Sequence, residues 1–241
     1  MTAAGGLQAR MESLDMLANN LANSETSGYK TDREFYNLYL SSEQESADAG
    51  DPTTMPVIEK NYTDYSQGVL RQTANPLDLA LDGEGFFALN ANGGMAYTRD
   101  GAFRLSPAGN LVTANGFALC STTAGGVPVR VDPSVPFTVT ADGTVHQSGN
   151  VVAKIAVVKF TDPAGLAKQG NTMFSADRSA QPQPAAAEVQ QGKLENSNVG
   201  TAESAVRLVN VMRQFENLQK AIHIGDEMNR KAVEEVARVS S

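Results

Sequence analysis

Near the start of the chain, apolar residues fall at Leu7, Met11, Leu14, Ala18 and Leu21, so the gaps alternate 4, 3, 4, 3. Near the end they fall at Ala205, Leu208, Met212 and Phe215, pass through polar Gln219 to Ile222, and resume at Val233 and Val236. Gaps of 3 and 4 place these residues on one stripe of a helix, the pattern of helices that pack lengthwise on other helices. The first pattern predicts a helix over 5–22. Asn23 and Ser24 are stop residues, and Gly28 can take the positive φ that turns the chain away. The second predicts a helix from Thr201 to Val236, roughly 50 Å long at 1.5 Å per residue. Asp32 to Leu40 suggests a further short helical stretch with Phe35, Leu38 and Tyr39 on one side.

Between these ends the pattern changes. Residues 41–56 are acidic and nearly free of large apolar groups, and read as a flexible linker that cannot bury enough surface to offset its ordering entropy. From Val57 to Phe174, short runs of β-formers such as Phe86-Phe87-Ala88-Leu89, Ala96-Tyr97-Thr98 and Ile155-Ala156-Val157-Val158 alternate with turn dipeptides such as Asp100-Gly101, Asn115-Gly116 and Asp142-Gly143. Asn-Gly and Asp-Gly suit tight hairpins because both positions tolerate positive φ. Residues 176–191, rich in Ala, Gln and Pro, read as an extended connector. The fold class that follows is mainly β with α-helical termini, an antiparallel β-domain on a terminal-helix coiled-coil stem. Its segments are a helical stem over 1–40, the linker over 41–56, the β-domain over 57–175, the connector over 176–200 and a second helical stem over 201–241.

The two helical stripes have two possible partners: each other, in a hairpin within one chain, or the helices of other copies. The last helix is about twice as long as the first, so a hairpin leaves its far half uncovered, which favours packing between chains. Polar Gln219, Asp226 and Asn229 on the stripe suit a register-setting role. The expected axial packing residues are Leu7, Leu14, Leu17, Leu21, Leu208, Met212, Phe215 and Ile222. Asn19, Asn20 and Asn23 are expected to make amide hydrogen bonds within or between subunits, with helix capping the alternative for Asn23. Phe86, Phe87, Tyr97 and Phe103 are assigned to the β-core.

Composition narrows the function. Hydrophobic residues make up 41% of the chain, aromatics 6%, and the net charge is −8. No cluster of Lys and Arg offers the basic face that nucleic acid requires, and the charge balance argues against an anionic membrane surface. No stretch approaches the roughly 20 apolar residues needed to span a bilayer, and no basic-then-apolar leader is visible. Cys120 stands alone and reads as a small buried apolar residue. His146 and His223 sit in no metal-ligand spacing. Gly83-Glu84-Gly85 lacks the third glycine and the following helix of a dinucleotide fingerprint, and reads as a tight turn before a buried strand. Asp78 and Asp82 read as solvated turn carboxylates rather than an acid/base pair. No cofactor and no catalytic group is expected.

Specific strings carry a resemblance. Leu14-Asp15-Met16-Leu17-Ala18-Asn19-Asn20-Leu21-Ala22-Asn23 followed by Thr26-Ser27-Gly28-Tyr29-Lys30 resembles the N-terminal signature of the bacterial flagellar rod and hook family. The strings Gln67-Gly68, Asn75-Pro76-Leu77-Asp78-Leu79-Ala80-Leu81, Gly83-Glu84-Gly85-Phe86-Phe87 and Tyr97-Thr98-Arg99-Asp100-Gly101-Ala102-Phe103 look like the family's rod members. Gln191-Gly192-Lys193-Leu194-Glu195-Asn196-Ser197-Asn198-Val199 and Arg213-Gln214-Phe215-Glu216 match near its end. The resemblance implies a structural subunit, not an enzyme, of the flagellar basal-body rod. Its terminal helices would pack into a tubular core with the β-domain outside, forming the torque-transmitting shaft across the periplasm. It implies copies of itself and other flagellar rod proteins as partners. Passage through the flagellar export apparatus without a cleaved leader is also implied. A distal rod, hook-like or cap-like member of the same assembly is the alternative, and a ligand-binding β-domain with helical oligomerisation ends is the competing class.

Overall fold

The computed structural model describes residues 2–39, 55–91, 94–122, 126–177 and 180–239. The chain divides into two compact units. The first is built from helix α1 (Thr2–Ala22), strands β1 (Asp32–Tyr39) and β2 (Met55–Thr63), and helix α2 (Thr201–Val239). The second comprises Asn23–Thr31 and Thr63–Val199.

In the first unit, α1 packs along α2. The expected helical stretch over Asp32 to Leu40 is instead β1, which pairs with β2. Its aromatic residues suit a pleated surface, and its partner strand lies beyond the acidic segment, where local periodicity cannot reveal it. The expected linker over 41–56 falls mostly on residues 40–54, which lie outside the described residues, whereas Met55 and Pro56 already belong to β2. Asn20 fixes the turn from helix to strand: its amide nitrogen donates to the Asp32 carbonyl at 2.8 Å, and its side-chain oxygen accepts the Asp32 amide at 3.0 Å. An Arg207–Glu34 ion pair at 3.6 Å ties β1 to the start of α2. The end of α1 therefore lies near the beginning of α2, so the helices run antiparallel.

The second unit is an antiparallel β-structure. Among the described residues, its largest sheet runs Leu166–Gln169, Met173–Ala176, Gly94–Thr98, Phe86–Ala91, Ala118–Leu119, Leu111–Val112, Arg104–Leu105 in spatial order. Val157–Lys159 also pairs with the Phe86 strand, and Gln183–Pro184 pairs with Val157–Lys159. A separate three-stranded sheet is formed by Phe137–Val139, Thr144–Gln147 and Asn150–Lys154.

The expected connector over 176–200 is not a free connector. Glu188–Gln191 pairs with Leu79–Asp82, and Lys193–Glu195 pairs with Leu70–Gln72. Val189 and Leu194 are buried there, so a segment with weak apolar patterning is ordered by the sheet edges it meets.

The Phe86–Ala91 strand separates two apolar clusters. Phe87 and Leu89 face one, with Leu79, Leu81, Phe103, Leu111, Leu119 and Ile155; Phe86 and Ala88 face the other, with Tyr97, Cys120, Phe160, Leu166 and Phe174. Alternation along a strand sends neighbours to opposite faces, and here both faces are dry: Phe86 is 5% exposed and Phe87 0%. Phe87 meets Phe103 edge to face at 5.4 Å, and Tyr97 meets Phe160 at 4.9 Å. Asp78 departs from the solvated reading: it is buried and accepts a hydrogen bond from Asn75 Nδ2 at 2.9 Å. Asp82 is exposed and accepts from Gln190.

Candidate assembly surface

The least exposed line along α2 passes through half-buried Leu208, buried Val211, and half-buried Phe215, Leu218 and Ile222, again with gaps of 3 and 4. Leu208, Phe215 and Ile222 therefore lie on the side turned inward within one chain. Met212 does not: it is 47% exposed, and Val211, at 6%, takes the inward place. The expected stripe is displaced by one residue there and again at Gln219, where Leu218 lies inward. Val211-Met212 and Leu218-Gln219 each offer neighbours about 100° apart on the helix, so the sequence pattern fits two adjacent stripes, and only packing against α1 selects between them.

On α1, Leu17 is buried, and Leu7, Leu14 and Leu21 are half-buried on either side of it. Ser13 and Asn20 share Leu17's side of the helix, where a small hydroxyl side chain permits close approach. Met11, expected on the stripe, is 53% exposed, and Ala18 and Asn19 are also exposed.

Two further features of the helix pair are seen among the described residues. The 39-residue α2 outruns the 21-residue α1. A second apolar set, Val206, Val209, Met212, Ile224 and Met228 on α2, is exposed together with Met11 on α1. These residues are separate from the inward line of α2, so among the described residues the helix pair carries a second, exposed apolar set.

The second unit holds the other residues of interest. Asn23 accepts from Asn171 Nδ2 at 2.9 Å through its side chain, while its carbonyl accepts the Thr26 amide in a turn at 3.1 Å. The stretch Ser27–Thr31 is held residue by residue. Gly28 adopts φ of +67° and its amide donates to the Glu195 carbonyl at 2.8 Å; a Cβ there would collide with the Asp100 backbone. Ser27 donates to Asp100 at 2.7 Å. Tyr29 is fully buried, with Lys168 Nζ 4.1 Å from its ring centre. Lys30 is fully enclosed and donates to Glu195 Oε1 and to the Ser66 carbonyl, each at 2.6 Å. The other Glu195 oxygen accepts from Arg99 at 3.1 Å, and the Gly68 amide donates to Oε1 at 2.9 Å. The Thr31 amide donates to Asn198 Oδ1 at 2.8 Å.

Burial lowers the Lys30 ammonium pKa from its ordinary value, opposed by Glu195, and lowers that of Arg99 in the same way. It raises that of the Asp100 carboxyl, against the hydrogen bond from Ser27. A buried carboxylate shared by two cations and a backbone amide has its lone pairs satisfied, which is the condition for such charges to be held inside a protein. Periodicity missed Lys30, Arg99, Glu195 and Asn198 as a group, because they come from three distant places in the chain. Their one signal in the sequence was membership of the strings that carry the family resemblance.

Other chemistry is sparse. Cys120 is buried, and burial pushes its thiol up to about 11. His223 is exposed on α2 and His146 half-buried. Among the described residues no three His, Cys, Asp or Glu side chains are grouped to hold a metal. A cleft of about 620 Å³ beside Tyr65, Gln67, Glu84, Phe86 and Lys159 has Arg99 in its wall. That guanidinium is already engaged by Glu195 and the Gly83 carbonyl. No helix of the described residues is long and apolar enough to cross a membrane.

Three family patterns match the chain: "Flagella basal body rod protein" over residues 1–30, "Flagellar hook protein FlgE/F/G D1 domain" over 80–153, and "Flagellar basal body rod FlgEFG protein C-terminal" over 190–235. The chain is 33% identical to the flagellar basal-body rod protein FlgF of Caulobacter vibrioides, over 94% of this chain and 93% of that one. It is 31% identical to the rod protein FlgG of Agrobacterium fabrum, over 94% of each. The chain belongs to the flagellar basal-body rod family. In that family it is a structural subunit, of the proximal (FlgF) or distal (FlgG) rod type, and the basal-body rod is its location. Rod proteins of this family assemble with other rod proteins.

Proposed function

We infer that the chain polymerises through its helix pair, with copies of itself and with other rod proteins, into the torque-transmitting shaft of the basal body. The observation that carries this is the second apolar set, Val206, Val209, Met212, Ile224 and Met228 on a helix that outruns its partner within the chain, with Met11 exposed on that partner. Leu7, Leu14, Leu17, Leu21, Leu208, Phe215 and Ile222 hold α1 and α2 together, and the outward set joins subunits. Side-by-side helices resist twisting because slippage unpacks many apolar side chains at once. The work is mechanical rather than catalytic. The subunit acts in the periplasm after leaving through the flagellar export apparatus, without insertion into the membrane and without binding nucleic acid.

Between the two rod positions we favour the proximal one. The Asn75–Leu81 string looks most like the proximal subunit, and the match to FlgF of Caulobacter vibrioides, at 33% identity, spans 93% of that relative. The distal position is the alternative. Electron microscopy of basal bodies from a strain lacking this gene decides between them. Arrest before the distal rod forms is the expected result; a complete proximal rod that stops short of the hook assigns the chain to the distal position. Intact rods would overturn the assignment to the shaft.

A further inference from the structure

The segment Asn23–Thr31 belongs by contact to the second unit, although it precedes the rest of that unit in sequence by about thirty residues. Two consecutive large side chains within it, Tyr29 and Lys30, are fully buried. Four elements hold it. Glu195 takes the Lys30 ammonium and, through its carbonyl, the Gly28 amide. Asp100 takes the Ser27 hydroxyl, Asn198 takes the Thr31 amide, and Lys168 donates to the Lys30 carbonyl at 2.9 Å. The Thr31 carbonyl in turn accepts the Asp64 amide at 2.8 Å.

The groove is cut to this segment. A Cβ at Gly28 would strike the Asp100 backbone, so the segment lies flat against the groove wall at that point. Removal of the segment strips Glu195 of its Lys30 partner and opens the space filled by Tyr29. A buried charge deprived of its partner is costly, and an aromatic-sized void adds to that cost.

We propose that Asn23–Thr31 is the closing strap of the β-unit, latched by Lys30–Glu195–Arg99, and that the unit folds cooperatively only with the strap seated. The unit is then a groove and its own peptide rather than a self-sufficient sheet. Lys30 and Glu195 are 165 positions apart, so a chain that emerges N-terminus first cannot close this unit until Glu195 has followed. The latch keeps most of the chain open during vectorial emergence and shuts it near the end. This holds whether or not the helix pair polymerises as proposed above.

Amide hydrogen exchange on the full-length chain tests it. The strap is read at the amides of Gly28 and Thr31, and the sheet at Leu79, Ala88 and Cys120, which donate to Gly101, Ala156 and Ala88 carbonyls. One cooperative unit gives one opening free energy, so after correction for intrinsic rates the two sets should agree within about tenfold. Strap amides exchanging more than about tenfold faster than the sheet would show a strap laid over an independently stable unit, and would overturn the proposal. In Glu195→Gln, protection of strap and sheet should fall together; loss at the strap with the sheet unchanged would also overturn it. The wild-type ratio decides by itself if that variant does not fold.

Discussion

Gly101 lies flat against Leu79: its carbonyl accepts the Leu79 amide at 3.0 Å, and the Leu79 carbonyl occupies the space that a Cβ at position 101 would need. The glycine is required by the approach of a neighbouring backbone, not by a left-handed φ. Gly101→Ala should therefore force two backbone segments apart and destabilise the β-unit by about 1–3 kcal/mol, the usual range for overpacking. A urea titration of wild type and variant reads this as a lowered midpoint. An unchanged midpoint would show that the contact relaxes freely.

The two faces of the Phe86 strand are both buried, so Phe86→Ala and Phe87→Ala should cost similar amounts, about 3–5 kcal/mol each. Phe86 loses edge contacts with Tyr65 and Phe174, and Phe87 its contact with Phe103. If Phe86→Ala left the urea midpoint in place while Phe87→Ala lowered it, the cluster around Phe160 and Phe174 would contribute little.

Phe215→Asp and Val209→Asp separate the inward and outward faces of α2. The first puts a carboxylate on the inward line and should unfold the helix pair, seen as lost helical circular dichroism. The second changes a residue 47% exposed; the isolated chain should keep its helix content but fail to restore swimming to a deletion strain. Normal swimming with Val209→Asp at normal expression would remove that residue from the assembly surface.

The Cys120 thiol is raised by burial to about 11 from 9.0. The folded chain keeps this proton where the unfolded chain has lost it, so Cys120 lowers stability as pH rises from about 9 towards 11. Cys120→Ala removes that term. The stability of wild type relative to Cys120→Ala should be flat below pH 8 and decline above pH 9, as read from paired denaturation curves. At pH 8 the native thiol should also react with a disulfide reagent far more slowly than the unfolded chain does.

The sequence was a good guide wherever the information was local. The terminal stripes placed both helices, because a 3–4 spacing of apolar residues has one regular conformation that gathers them on one side. The turn dipeptides and β-formers placed the sheet. The strand over Asp32–Tyr39 reads as helix from its sequence because eight residues with mixed spacing fit either conformation until a partner strand decides. The segment over 176–200 reads as connector because pairing with Leu79–Asp82 and Leu70–Gln72 depends on edges more than a hundred residues earlier in the chain.

What the sequence by itself determined is therefore the elements whose geometry follows from neighbouring residues, together with the family, whose strings stand in order along the chain. Only the tertiary structure decided which of two adjacent stripes on α2 faces α1, because Val211 and Met212 are equivalent until another helix approaches. Only the tertiary structure joined Lys30, Arg99 and Glu195, because a buried charge finds its partner by three-dimensional proximity and not by spacing along the chain.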